Sequence, residues 1–309
     1  MATSSTSGSM PERKLIPQAS YSAKAVLPIG LTAISFASIF IKVCEAPPLV
    51  IAAYRLGLAT LVLLLFTLPR TLREVRRLGR QEILPSILAG LFLCFHFAFW
   101  ITSLKYTSVA SSVIFVTTNP IFVALASTFF LGEALSFTLL LSILVAIVGG
   151  LIIGWGDWDK GIPSLYGDLL ALLGAVMATG YLLLGRRVRQ KMDLTAYITL
   201  VYGVAGLFLI LLALASGEVF FDYPPRTYLF FFLLALVPQL IGHTTLNWAL
   251  KFFSATLVAV FILGEPIGAT ILAYFILGEP ISKNLLLGGT LVLLGIYLSA
   301  REERKLGKI

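Results

Sequence analysis

Charge is what this sequence has least of. Only 12% of its 309 residues are Asp, Glu, Lys or Arg, about half of the share with which a soluble domain covers its surface. Cysteine and histidine are nearly absent, at two each. Neither the spacing nor the placement of Cys44 and Cys94 suggests a disulfide or a metal site. Two histidines without a third ligand make a poor zinc site. There is no G-x-x-x-x-G-K-[ST] phosphate loop, so an ATP motor built into the chain is excluded. The G-x-S-x-G and H-E-x-x-H signatures and paired intramembrane aspartates are missing too, which removes the commoner membrane hydrolases. No glycine-rich selectivity filter is present. Nothing here asks for a cofactor.

What the chain has in abundance is apolar length. Hydrophobic residues make up 58% of it, and the mean hydropathy is +0.96. Apolar runs bounded by charge, Pro or Gly lie at 24–43, 47–68, 83–103, 108–130 and 135–156, then at 166–185, 194–216, 227–250, 254–277 and 282–300. Each is near the ~20 residues a helix needs to cross a bilayer. No soluble domain fits between them. The expectation is an all-α membrane protein of ten transmembrane helices. Residues 1–23, Ser/Thr-rich and then basic, read as a disordered cytoplasmic tail. They lack the cleavable pattern of a signal peptide, so the first span is expected to stay.

Basic residues then orient the chain. With the N-terminus inside, the inner loops and ends hold Arg13, Lys14 and Lys24, five residues from Arg70 to Arg80, four from Arg186 to Lys191, Lys251, and four from Arg301 to Lys308, 17 in all. The outer loops hold Lys42, Lys105, Lys160, Arg226 and Lys283. That asymmetry follows the positive-inside rule and places both termini in the cytoplasm of an inner (plasma) membrane protein. The formal charge of +8 is therefore topological, with attraction to anionic lipid, and does not indicate nucleic acid.

The second half of the chain echoes the first. SLKYTSVASSVIFVTTNPIFVALASTFFLGEALS at 103–136 aligns without a gap on ALKFFSATLVAVFILGEPIGATILAYFILGEPIS at 249–282. Leu104-Lys105 falls on Leu250-Lys251, Pro120 on Pro266, and Leu131-Gly132-Glu133 on Leu277-Gly278-Glu279. Leucine could match by low complexity, but these motifs in register mark a duplication. Each copy holds five spans, an odd number, so the copies are expected to lie in opposite orientations, over 24–156 and 166–300, with residues 301–309 as an inner tail. Inverted repeats characterise many secondary transporters, because two pseudo-equivalent halves can exchange inward-open and outward-open states.

On these motifs the chain resembles the EamA-type branch of the drug/metabolite transporter superfamily. The resemblance rests on two five-helix repeats, each with an LK-aromatic turn, a mid-span Pro and a GE turn. It implies a ten-helix exporter or exchanger of small metabolites, often amino acids, with the cavity between the halves. Within the superfamily it is more similar to bacterial amino-acid exporters than to nucleotide-sugar carriers. The family commonly has an Arg near the position of Arg55.

The few polar groups at membrane depth are the candidate site, since each needs a partner or a wet cavity. Arg55 follows Tyr54 in the second span; it reads as an anion attractor or gating ion pair, or as a snorkelling structural group. His96 and Trp100 share one face of the third span, amid Phe92, Phe95, Phe97 and Phe99, a wall suited to an amphipathic solute. Gln239, His243 and Asn247 recur every four residues in the eighth span, with Trp248 beside them. They line a pathway or bond helices together. Pro120 and Pro266 are hinge candidates at matching depths, preceded by Asn119 and Glu265. Glu265 reads as a proton carrier, a counter-ion for a cationic amine or the partner of a basic group.

The reading is a secondary transporter working by alternating access, an exporter of amino acids, aromatic or otherwise apolar ones among them. Its partners are a small-molecule substrate and the bilayer, with protons a candidate coupling ion through the histidines. Monomer and homodimer are both compatible with the sequence. Rival readings are a drug or quaternary-amine exporter, which Glu265 and the aromatics would serve, and an intramembrane enzyme using His96, His243 and Glu265.

Overall fold

A backbone in lipid must satisfy its own hydrogen bonds, and the chain does so by helix. The structure, a computed structural model, describes residues 26–131, 136–158, 161–253 and 255–305, and all regular elements among them are helical. The N-terminal tail, the first GE turn with Glu133, Lys160 and residues 306–309 lie outside the described residues.

Helix α1 is Val26–Val43, α2 Pro48–Val75, α3 Arg80–Ser103, α4 Val109–Val116, α5 Asn119–Leu131 and α6 Phe137–Trp158. The second half runs α7 Ile162–Arg189, α8 Leu194–Ala215, α9 Pro225–Ala249, α10 Ala255–Ile262, α11 Gly264–Leu277 and α12 Lys283–Lys305. Six of these (α1, α2, α3, α7, α8 and α9) are long and apolar enough to cross a membrane. Shorter apolar stretches cover Val109–Val123, Leu140–Ile153, Gly264–Leu277 and Lys283–Leu298. Proline opens α2, α7 and α9, where the missing N–H is one the first turn leaves unpaired anyway. Gly278, in the left-handed region at φ 69°, closes α11.

Two apolar runs are broken in mid-course. The run 108–130 splits into α4 and α5 at Thr117 and Thr118, whose hydroxyls donate back to the carbonyls of Val113, Ile114 and Phe115. Pro120 follows and has no N–H to continue the ladder. The run 254–277 splits between Ile262 and Gly264, just before Pro266. Helix α9 stays continuous but turns π-helical over Ala235–His243, around Pro238, a rare geometry often found where function sits.

Helix α2 packs on α8, α3 lies between α7 and α8, and α6 pairs with α12. Small residues permit the closest crossings. A Cβ at Gly167 of α7 would stand 2.9 Å from Thr107 N and 3.0 Å from Ser103 O, at the end of α3. A separate core of Ile114, Ile121, Ile143, Ile153, Val292 and Ile296 joins α6 and α12 to the broken α4–α5. Leu65, Phe66, Phe137, Trp155, Ile162 and Phe275 are the most exposed large apolar side chains among the described residues, an arrangement that fits acyl chains rather than water.

The α6–α12 contact generates a test. A Cβ at Gly288 would lie 2.5 Å from Gly149 O, a backbone atom that cannot swing away, whereas one at Gly289 would meet only the Cδ1 tip of Ile114 at 3.0 Å. Gly288→Val is expected to destabilise the protein by about 2 kcal/mol or more, and Gly289→Val by clearly less. Melting of the two variants in detergent checks this; equal midpoints would mean the helices are not pressed together at Gly149.

Candidate functional site

The broken helices face each other across a small cavity of about 40 Å³, enough for roughly three water molecules at ~10–15 Å³ each. Its polar lining is Arg55 of α2, His96 and Trp100 of α3, Asn119 of α5, Tyr181 of α7, His243 of α9 and Glu265 of α11, with Thr117 at the break. Ile34, Val116, Leu246 and Ile262 supply apolar wall. The cavity is the meeting point of elements distant in sequence, set by the close packing of α3 on α7.

Arg55 is wholly buried, at 0% exposure. Its Nε donates to Oε1 of Gln239 at 2.8 Å, and its Cζ lies 4.2 Å above the centre of the Phe97 ring and 5.9 Å from that of Trp100. A desolvated cation–π contact gives about 2 kcal/mol and a hydrogen bond to a charged group about 1.5–3 kcal/mol. Together these only approach the several kcal/mol that burying an ion costs. The remainder of the guanidinium depends on what fills the cavity, because Nη1 and Nη2 have no partner.

His96 is oriented by the backbone of α7. Its Nδ1 donates to the carbonyl of Gly174 at 2.9 Å, which leaves Nε2 as an acceptor. The ring stacks near-parallel on Trp100, with centres 6.0 Å apart and planes at 15°. His243 faces Phe97 edge-on at 5.3 Å and stands 6.5 Å from both His96 and Tyr181. Its Nδ1, with Trp100 Nε1 and Asn119 Oδ1, is buried without a hydrogen-bond partner. Buried polar atoms in native proteins are normally paired, so a cluster of orphans around one cavity points to a polar occupant.

The structure thus brings Arg55, His96, Trp100, Asn119, His243 and Glu265 together, and leaves other candidates outside. Gln239 stands behind Arg55 as its support. Asn247 is buried behind the cavity, its Nδ2 donating to the hydroxyls of Tyr181 at 2.6 Å and Tyr202 at 3.1 Å. Trp248 packs on Phe252. Tyr54 turns to the other face of α2, stacked on Phe231 at 4.3 Å and donating to Phe220 O at 2.7 Å. Pro120 and Pro266 are buried beside the breaks. Tyr181 is the lining residue that sequence reasoning missed. A single tyrosine in an apolar helix carries no pattern, and only its contact with Asn247 marks it.

The lining also carries the duplication. Trp100 and Leu246, Val116 and Ile262, and Asn119 and Glu265 each stand 146 residues apart, the same offset that aligns Leu104 with Leu250. Carried back without a gap, the same offset sets Val201 opposite Arg55 and His243 opposite Phe97. A test follows from the support of Arg55. Gln239→Leu removes the acceptor and strands a third guanidinium nitrogen, so it is expected to cost about 2 kcal/mol. Denaturant or thermal unfolding in detergent measures it, and an unchanged midpoint would show that Gln239 does not hold the guanidinium.

Comparison with known proteins agrees with this architecture. The EamA-like transporter family matches the chain twice, over residues 24–155 and 165–301. An uncharacterized transporter of Bacillus subtilis, YdfC, is 27% identical over 285 residues, covering 92% of each chain. An uncharacterized transporter of Archaeoglobus fulgidus is 27% identical over 295 residues, 91% of this chain and 99% of its own. A protein of known crystal structure aligns with a TM-score of 0.66 at 19% identity, over 93% of this chain and 99% of that one, a likeness of fold alone. The chain belongs to the EamA-like transporter family.

Proposed function

We propose that this membrane transporter is a ten-span secondary exporter of small amphipathic metabolites, amino acids with apolar or aromatic side chains foremost. It works by alternating access between two inverted halves in the cytoplasmic membrane, with both termini inside. The observation that carries this is the cavity itself: it lies where both repeats are broken, and three pairs of its lining residues keep the repeat offset. Broken helices meeting at the middle of a bundle are how transporters expose polar groups in lipid. The wall of Trp100, Leu246 and Ile262 suits an apolar side chain, while Asn119 and His243 suit polar groups.

Two latches at opposite ends support a two-gate cycle. At the outer end Lys42 Nζ donates to Thr107 O at 3.1 Å and stands 3.7 Å from Glu279. Glu279 Oε2 in turn accepts the Val109 N–H at 2.8 Å. It therefore caps α4 of the other repeat. At the inner end Arg186 Nη1 donates to the carbonyls of Leu250 and Lys251 at 2.8 and 3.0 Å. In each case a cation ending the first span of one repeat holds the LK turn that follows the third span. With both latches made, the cavity is too small for an amino acid, so a solute enters only when one of them opens.

An intramembrane enzyme would need His96 or His243 within hydrogen-bond reach of Glu265. Among the described residues no hydrogen bond or ion pair links them, and membership of a transporter family favours transport. Counterflow of labelled leucine and phenylalanine in proteoliposomes tests the proposal. Uptake driven by internal unlabelled amino acid is expected, reduced by His243→Ala. No flux of any amino acid, or flux indifferent to His243, would sink it. The latches are tested by thiol labelling. In a chain with Cys44 and Cys94 replaced by Ser and a reporter Thr117→Cys, Lys42→Ala should raise labelling from the outer side and Arg186→Ala from the inner side. Loss of one such contact shifts a two-state population by roughly tenfold. Equal effects from both sides would argue against two gates.

A further inference from the structure

The charged residues of the cavity do not follow its symmetry. Arg55 has Val201 at the equivalent position, which is also wholly buried, and Glu265 has Asn119. The same local fold therefore closes around uncharged side chains in the other copy. Neither the guanidinium nor the carboxylate is required to build it.

What they offer is a site with two poles. At one wall the guanidinium is immobilised through Nε by Gln239 and through its face by Phe97. Its two terminal nitrogens, buried and unpartnered, remain as a fork. That fork matches the two oxygens of a carboxylate, a geometry a lysine cannot reproduce. Glu265 lines the same cavity from the start of α11, 8% exposed, as does Asn119, whose buried Oδ1 has no hydrogen-bond partner. These are acceptors, suited to an ammonium group. Among the described residues no ion pair joins Arg55 to Glu265, so neither pole neutralises the other by direct contact.

We propose that the site reads a zwitterion. The fork of Arg55 takes the carboxylate, Glu265 with Asn119 takes the ammonium, and the side chain lies along Trp100, Leu246 and Ile262. This rests on the transport function proposed above and names the charge pattern its substrate must carry. A quaternary amine satisfies only the Glu265 pole and leaves the guanidinium unpaired.

The test uses the full chain in proteoliposomes, with counterflow of labelled L-phenylalanine and four unlabelled competitors. These are L-phenylalanine itself, its methyl ester, its N-acetyl derivative and choline. The amino acid is expected to compete, and each blocked derivative to be weaker by roughly tenfold or more, since a site built to bond a group rejects an analogue lacking it. Arg55→Gln should abolish the preference for acid over ester while keeping that for free amine over N-acetyl, and Glu265→Gln should do the converse. Thermal stabilisation of the unaltered protein by the same compounds gives the ranking without any variant. If L-phenylalanine moves and its ester and N-acetyl derivative compete equally well, the two-pole site is wrong and amino-acid transport stands. If labelled choline is taken up in a parallel assay and no amino acid is, amino-acid transport itself fails, and the two-pole site with it.

Discussion

An ion inside a bilayer-spanning bundle has to be compensated by the protein, and Arg55 is where this chain meets that constraint. Its charge sits in the second span with no water-facing surface, so three other helices are organised around it. Helix α3 brings the face of Phe97 and the edge of Trp100. Helix α9 bends into a π-helical segment that carries Gln239 to Nε. Helix α11 presents Glu265 across the cavity. The aromatic pair alone leaves a deficit of several kcal/mol, which is why the cavity is polar and why its occupant matters energetically.

Much of this was legible in the sequence, for a physical reason. A helix satisfies its own backbone in lipid, so apolar runs of this length were expected to be helical; most of their ends fall within a few residues of the observed ones, but α2 runs on to Val75, seven residues past its apolar run, and two runs are broken. Charge is so scarce that Arg55, His96, His243 and Glu265 stood out singly, and the structure gathers all four. What stayed illegible depends on register and on partners. Gln239, His243 and Asn247 form one stripe on a regular α-helix, but the segment Ala235–His243 is π-helical and turns more slowly. Only His243 meets the cavity, while Gln239 and Asn247 serve neighbouring side chains. Pro238 within the run was a visible cue, but a proline does not say whether the helix will kink, break or widen. Tyr54 next to Arg55 shows the simpler limit: adjacent residues on a helix point about 100° apart, so neighbours in sequence need not share a site.

Glycine settles a second ambiguity. The pairs Gly149/Gly150 and Gly288/Gly289 read from the sequence as close helix packing, with a contact between two copies as the alternative. Gly149 and Gly288 meet each other inside the chain, backbone to backbone. That contact closes α6 on α12, and the separate core there packs against α4 and α5. The α6–α12 pair is thus attached to the broken helix rather than to the polar cavity.

On the function proposed above, a duplicated scaffold would supply motion and a diverged pair of charges selectivity. The breaks, the LK turns and the apolar wall recur at one offset, and the proposed inversion makes them equivalent at the two membrane faces. Equivalent gates of similar strength keep the two open states close in energy, which a carrier requires if substrate is to bias the cycle. At one end Lys42 bonds Thr107 O and pairs with Glu279, and at the other Arg186 and Gln190 both bond the carbonyls of Leu250 and Lys251. Divergence to Val201 and Asn119 in the opposite copies leaves one unsatisfied fork and one carboxylate. That residual polarity is what a transported dipole can satisfy, and it exists only because the symmetry of the fold is not extended to its charge.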